Sequence, residues 1–67
     1  MKVTYTLKNP VGNRRYFMFE GIVNLSDILK FAGVDQQYIV TKKILSVPFD
    51  IEEPITDVML ETEVYKP

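Results

Sequence analysis

This sequence predicts an α+β domain with elements in the order β-β-α-β-β, an antiparallel sheet with one short helix packed on one face. Three observations carry that reading. Residues 2–8 and 57–65 alternate apolar and polar side chains with a period of two. Between them, residues 24–33 place apolar side chains at helical spacing between a capping residue and a glycine.

The first strand sends Val3, Tyr5 and Leu7 to one side and Lys2, Thr4, Thr6 and Lys8 to the other. Asn9-Pro10-Val11-Gly12-Asn13 is dense in turn formers, and Gly12-Asn13 can supply positive φ. A second strand from about Arg14 to Val23 therefore closes a hairpin. Asn24 is placed to cap a helix, with Asp27 three residues on in the position of a capping-box carboxylate. Leu25, Ile28, Leu29 and Ala32 then define one buried stripe, and Gly33 ends the helix as a left-handed residue. On this reading Phe31 falls off the stripe and stands exposed.

Beyond the helix, Tyr38-Ile39-Val40-Thr41 is strand-like, and Ile44-Leu45-Ser46-Val47 resumes after Lys42-Lys43 in a shifted phase, as a bulge or kink would produce. A helix capped by Asp35 is the alternative for residues 37–47. Pro48 and Pro54 bracket a loop. In the final strand Val58, Leu60, Thr62 and Val64 face one way, and Met59, Glu61, Glu63 and Tyr65 the other. The expected core is Val3, Tyr5, Leu7, Leu25, Ile28, Leu29, Ala32, Val58 and Leu60.

With 67 residues, 46% hydrophobic and 25% charged, the chain holds one small globular domain. It contains no Cys and no His, which excludes thiol chemistry, Cys/His zinc sites and histidine acid–base catalysis. Ser26 and Ser46 thus lack an activating imidazole. Asp50, Glu52 and Glu53 do not have the spacing of a calcium loop, and the three glycines form no phosphate loop. No enzyme activity and no cofactor are expected. The start of the sequence has no apolar core of a signal peptide, and the longest apolar run, Tyr16–Phe19, is too short to span a bilayer. These features predict a soluble, cytoplasmic protein without membrane contact.

The formal charge of −1 conceals an asymmetry. Residues 1–49 carry seven basic side chains against three acidic ones, whereas residues 50–67 carry six acidic ones against Lys66 alone. Two binding classes follow. The first is a protein-binding module that uses Phe31 as an apolar anchor, with Ile28 beside it and the acidic group Asp57, Glu61 and Glu63 steering association. The second is a single-stranded nucleic-acid binder with Arg14, Arg15, Lys42 and Lys43 on phosphates and Tyr16, Phe17 and Phe19 stacking on bases. A pI near 5.2 weighs against the second. A core this small also predicts self-association, as a homodimer.

Val3-Thr4, Leu7, Gly12, the aromatic strand Tyr16, Phe17 and Phe19, Gly21, Leu25-Ser26-Asp27 and Gly33 form a pattern over residues 3–47. In it the chain resembles the small uracil-DNA glycosylase inhibitors of short-tailed Bacillus phages, with one extra residue between Gly21 and Leu25 and another before Gly33. The resemblance implies a homodimeric phage protein that mimics DNA and occupies the DNA cleft of a host glycosylase. In that family an aromatic after the Ser-Asp pair enters a pocket on the enzyme. Ile28 stands at that position here, and Phe31 lies one turn on. Arg14-Arg15 depart from the acidic hairpin of the family, and the acidic segment from Asp50 to Tyr65 has no counterpart in it.

Overall fold

The computed structural model describes residues 2–50 and 52–66. Five strands, β1 (Val3–Val11), β2 (Arg14–Phe19), β3 (Ile28–Lys30), β4 (Gln37–Leu45) and β5 (Asp57–Val64), form one sheet in the order β2-β1-β5-β4-β3. β1 and β5 run parallel at its centre, and every other neighbouring pair is antiparallel. The sheet curls into a half-barrel, and its concave face holds the core. Among the described residues there is no helix, so the α+β, β-β-α-β-β expectation is corrected to an all-β mixed sheet.

The hairpin forms where the sequence places it. Val11 pairs with Arg14 across a two-residue turn in which Gly12 has φ +60° and Asn13 does not have positive φ, the pattern of a type II′ turn. β1 continues past residue 8 to Val11, but its register with β2 shifts between Thr6 and Val11. Pro10, which has no N–H for the ladder, lies in that irregular stretch. β2 ends at Phe19, short of the expected Val23.

The expected helix is replaced by two turns and a three-residue strand. Asp27 Oδ2 accepts a hydrogen bond from the Asn24 N–H at 2.7 Å, the bond a capping box would make. Here it closes a turn in which the Asp27 N–H donates to the Asn24 carbonyl at 3.3 Å and Ser26 has φ +70°. The β4 backbone holds this turn: the Ser26 N–H donates to the Val40 carbonyl at 2.9 Å, and the Val40 N–H to the Asp27 carbonyl at 3.0 Å. Ile28–Lys30 then pairs with β4 through Ile39, Tyr38 and Gln37. A helix of ten residues is marginal by itself, whereas the free edge of β4 supplies a ready ladder. Gly33 keeps its left-handed role at φ +82°, in a turn closed by the Val34 N–H on the Phe31 carbonyl.

This change of structure re-sorts the core. Tyr5, Leu7, Val58 and Leu60 are buried as expected, joined by Val11, Val23, Val40 and Phe31. Leu25 (57% exposed), Ile28 (42%) and Ala32 lie outside, while Val3 and Leu29 are half-buried. Phe31 is only 8% exposed. Its ring meets Phe17 edge-on at 5.8 Å and Tyr38 at 6.3 Å, and Phe17 stacks on Tyr5 at 5.3 Å. The Tyr5 hydroxyl ties the crossing segment to the sheet by donating to the Gly21 carbonyl at 3.2 Å and accepting from the Val23 N–H at 3.1 Å. Residues 37–45 are strand, with the phase shift realised as a bulge at Thr41: Val40 pairs with Thr62 but Lys42 with Glu61. The Thr41 hydroxyl donates to the Glu61 carbonyl at 3.2 Å.

Ser26→Gly separates the turn from a helix. A left-handed serine stores about 1–2 kcal/mol that glycine releases, partly offset by the entropy of the freer unfolded chain. Thermal unfolding should show a variant equal to or up to about 1 kcal/mol more stable than the parent; a helix would lose about 0.5–1 kcal/mol. Tyr5→Phe should cost about 1–3 kcal/mol in denaturant unfolding, because it leaves the buried Val23 N–H without its partner.

Candidate interaction surfaces

In an antiparallel pair, directly opposed residues share a face, and along a strand the faces alternate. The observed registers therefore sort the candidate residues. Asp57, Met59, Glu61 and Glu63 of β5 point to the convex face, away from buried Val58, Leu60 and Thr62. Ile39 opposes Glu63, and Ile28 opposes Ile39. Four residues of the expected partner-binding set, Ile28, Asp57, Glu61 and Glu63, thus share one face of the sheet. Phe31 does not join them. Its exposure off a helical stripe is corrected, since it lies in the core on the other side.

Sequence reasoning missed the middle of this face. Tyr16 pairs with Thr6, Thr6 with Met59, and Met59 with Ile44, so one row crosses four strands. Tyr16, Met59 and Ile44 all expose large apolar surface along it. The next row carries charge. Glu61 lies between β1 and β4, accepts a hydrogen bond from Lys8 Nζ at 3.1 Å and stands 3.6 Å from Lys42 Nζ. The Lys8 hydrogen bond, with Coulombic help from Lys8 and Lys42, holds the Glu61 carboxyl below its ordinary value, against a weaker opposing effect of desolvation. The apolar row was hidden in the sequence because its members come from four separate segments.

The expected nucleic-acid set is dispersed. Tyr16 and Lys42 lie on the convex face, with Lys42 engaged by Glu61. Lys43 opposes buried Leu60 and so points to the other face. The Arg14 guanidinium sits over the Phe31 ring, 5.4 Å from its centroid. Arg14 and Arg15 line a concavity with Asn13 and Tyr16 at the hairpin end. Lys42 and Lys43 do not extend that patch.

No family model, curated protein or solved structure matches this chain. No helix among the described residues is long and apolar enough to cross a membrane.

The lowered Glu61 value fixes the sign of a pH effect. A carboxylate whose folded value lies below its unfolded one contributes stability above the ordinary value, 4.5, and loses it as pH falls through the folded value. Denaturant unfolding across a pH series should show the parent more stable than Glu61→Gln above pH 4.5, with the difference shrinking as acid is added.

Proposed function

We propose that this protein is a non-catalytic protein-binding module that meets its partner through the convex face of the sheet. The observation that carries this reading is the apolar row Tyr16–Met59–Ile44, exposed on a sheet face that no second layer covers among the described residues. A sheet buries an apolar face against another layer, and an uncovered apolar strip framed by charge is the usual form of a docking site. Lys8, Glu61 and Lys42 on one side and Asp57 on the other provide the polar rim. The dispersal of the basic residues, with Phe17 packed against the core, disfavours the alternative of single-stranded nucleic acid.

The resemblance to glycosylase inhibitors supplies the first partner to test, a host uracil-DNA glycosylase. In that setting Asp57 and Glu63 would carry the negative charge facing the DNA cleft, with Met59 and Ile44 in place of the buried Phe31 as the apolar anchor. The module would then act as a phage-type inhibitor.

The test combines a glycosylase assay on uracil-containing DNA with retention of a single-stranded oligonucleotide over a salt series. The expected result is inhibition near one-to-one stoichiometry, weakened by about 2 kcal/mol in Met59→Ala or Ile44→Ala, with no tight oligonucleotide retention. Tight retention that falls steeply with salt and is lost in Arg14→Ala/Arg15→Ala would replace the protein-binding reading with the nucleic-acid one.

A further inference from the structure

The half-barrel is open along one seam. Its edges, β2 and β3, are not paired, and no Cα of one lies within 8 Å of a Cα of the other, where neighbouring strands would sit about 4.7–4.9 Å apart. Side chains bridge the seam instead and leave a shallow cleft of about 320 Å³. Phe17, Met18, Leu29 and Phe31 give it an apolar lining, with Arg14 lying over the Phe31 ring from the β2 side and Lys30 on the β3 side. Among the described residues, Arg14, Arg15 and Lys30 take part in no ion pair. The cleft therefore calls for a ligand that is apolar at its centre and anionic around it.

The chain carries such a segment itself. In the loop between β4 and β5, Phe49 is fully exposed and Val47 is 73% exposed. Phe49 is followed by Asp50, Glu52 and Glu53, all exposed and in no ion pair among the described residues. The Glu52 and Glu53 N–H groups donate to Asp50 Oδ1 and to the Asp50 carbonyl, which folds the acidic run into a turn next to the phenylalanine. No described residue of this loop lines the cleft of its own molecule. The loop leaves β4 at Leu45, about 20 Å along that strand from Ile39, where β3 pairing begins.

We propose that the occupant is a second copy of this chain: a two-fold dimer in which Phe49 of each copy enters the seam cleft of the other, with Glu52 and Glu53 facing Lys30 and Arg14. The two-fold arrangement uses both loops and both clefts, whereas a one-sided contact would leave a free cleft and grow into a chain of copies. This pairing also gives the opposed charges of the two parts of the sequence a direct role. It uses the seam, not the convex face, and so stands or falls separately from the proposed function.

Sedimentation equilibrium from micromolar to hundreds of micromolar protein tests it. The parent should approach a mass about twice 7.8 kDa. Phe49→Ser, at an exposed position, should weaken association by about tenfold or more. Two charge-reversed variants decide the pairing, each first checked by circular dichroism for an unchanged fold. Lys30→Glu reverses the cleft, and Glu52→Lys/Glu53→Lys reverses the loop. Each alone should be weakened, because like charges meet at both contacts. An equimolar mixture should recover dimer, because both contacts are then complementary. A parent that stays monomeric, a dimer indifferent to Phe49→Ser, a mixture that does not recover, or assembly beyond two copies would each overturn the proposal.

Discussion

The first and last strands, β1 and β5, pair in parallel at the centre of the sheet, and this pairing dictates the path of the chain between them. Parallel neighbours cannot be joined by a tight turn, so the chain between them must travel from one end of the pair back to the other. Everything from Gly12 to Thr56 belongs to that excursion. β2 folds back on the outer side of β1, β4 on the outer side of β5, and the link between these strands has to cross the concave face. Tyr5, buried in the middle of β1, fastens that link with its hydroxyl at the point where it enters, between Gly21 and Val23.

A crossing link of this length is usually helical, and the helix supplies the second layer of the domain. Here the link is drawn toward the edge of β4 and becomes β3. The domain then has one curled layer whose concave side is filled by Val23, Leu29, Phe31 and Val34 from the link. Two features follow from having one layer. The convex side stays uncovered, and the curl stops short of closing, so a seam remains between β2 and β3. Both candidate surfaces arise from this single departure.

Charge is distributed to match. The acidic residues of β5 alternate with its core residues, so a central strand that carries part of the core also places carboxylates on the convex face. The central position of β5 lets Glu61 meet a lysine from each neighbouring strand, which satisfies part of the sequence's charge asymmetry inside one molecule. Screened surface pairs of this kind add little to stability, but they fix which charges remain free for other contacts. Those of the 50–53 turn and of the seam remain so among the described residues.

Those parts of the fold that depend on neighbours along the chain can be read from the residues alone. The alternation of β1 and β5, the Gly12-Asn13 hairpin turn, the left-handed Gly33, a phase shift in the fourth strand (read across Lys42-Lys43, found at Thr41) and the hydrogen bond between Asn24 and Asp27 were all legible, because each is a local stereochemical or periodic demand. Tertiary structure decided what the 24–33 segment becomes. Leu25, Ile28, Leu29 and Ala32 fit a helical period, while Leu29 and Phe31 equally fit a period of two, and so short a run cannot choose between them. The choice fell to a partner distant in sequence, the free edge of β4, whose backbone bonds to Ser26 and Asp27 outweigh a marginal helix. That choice turned Phe31 inward and Ile28 outward. It also placed Ile28 on the same face as Asp57, Glu61 and Glu63, an arrangement that depends on strand register, which is set only when the strands pair.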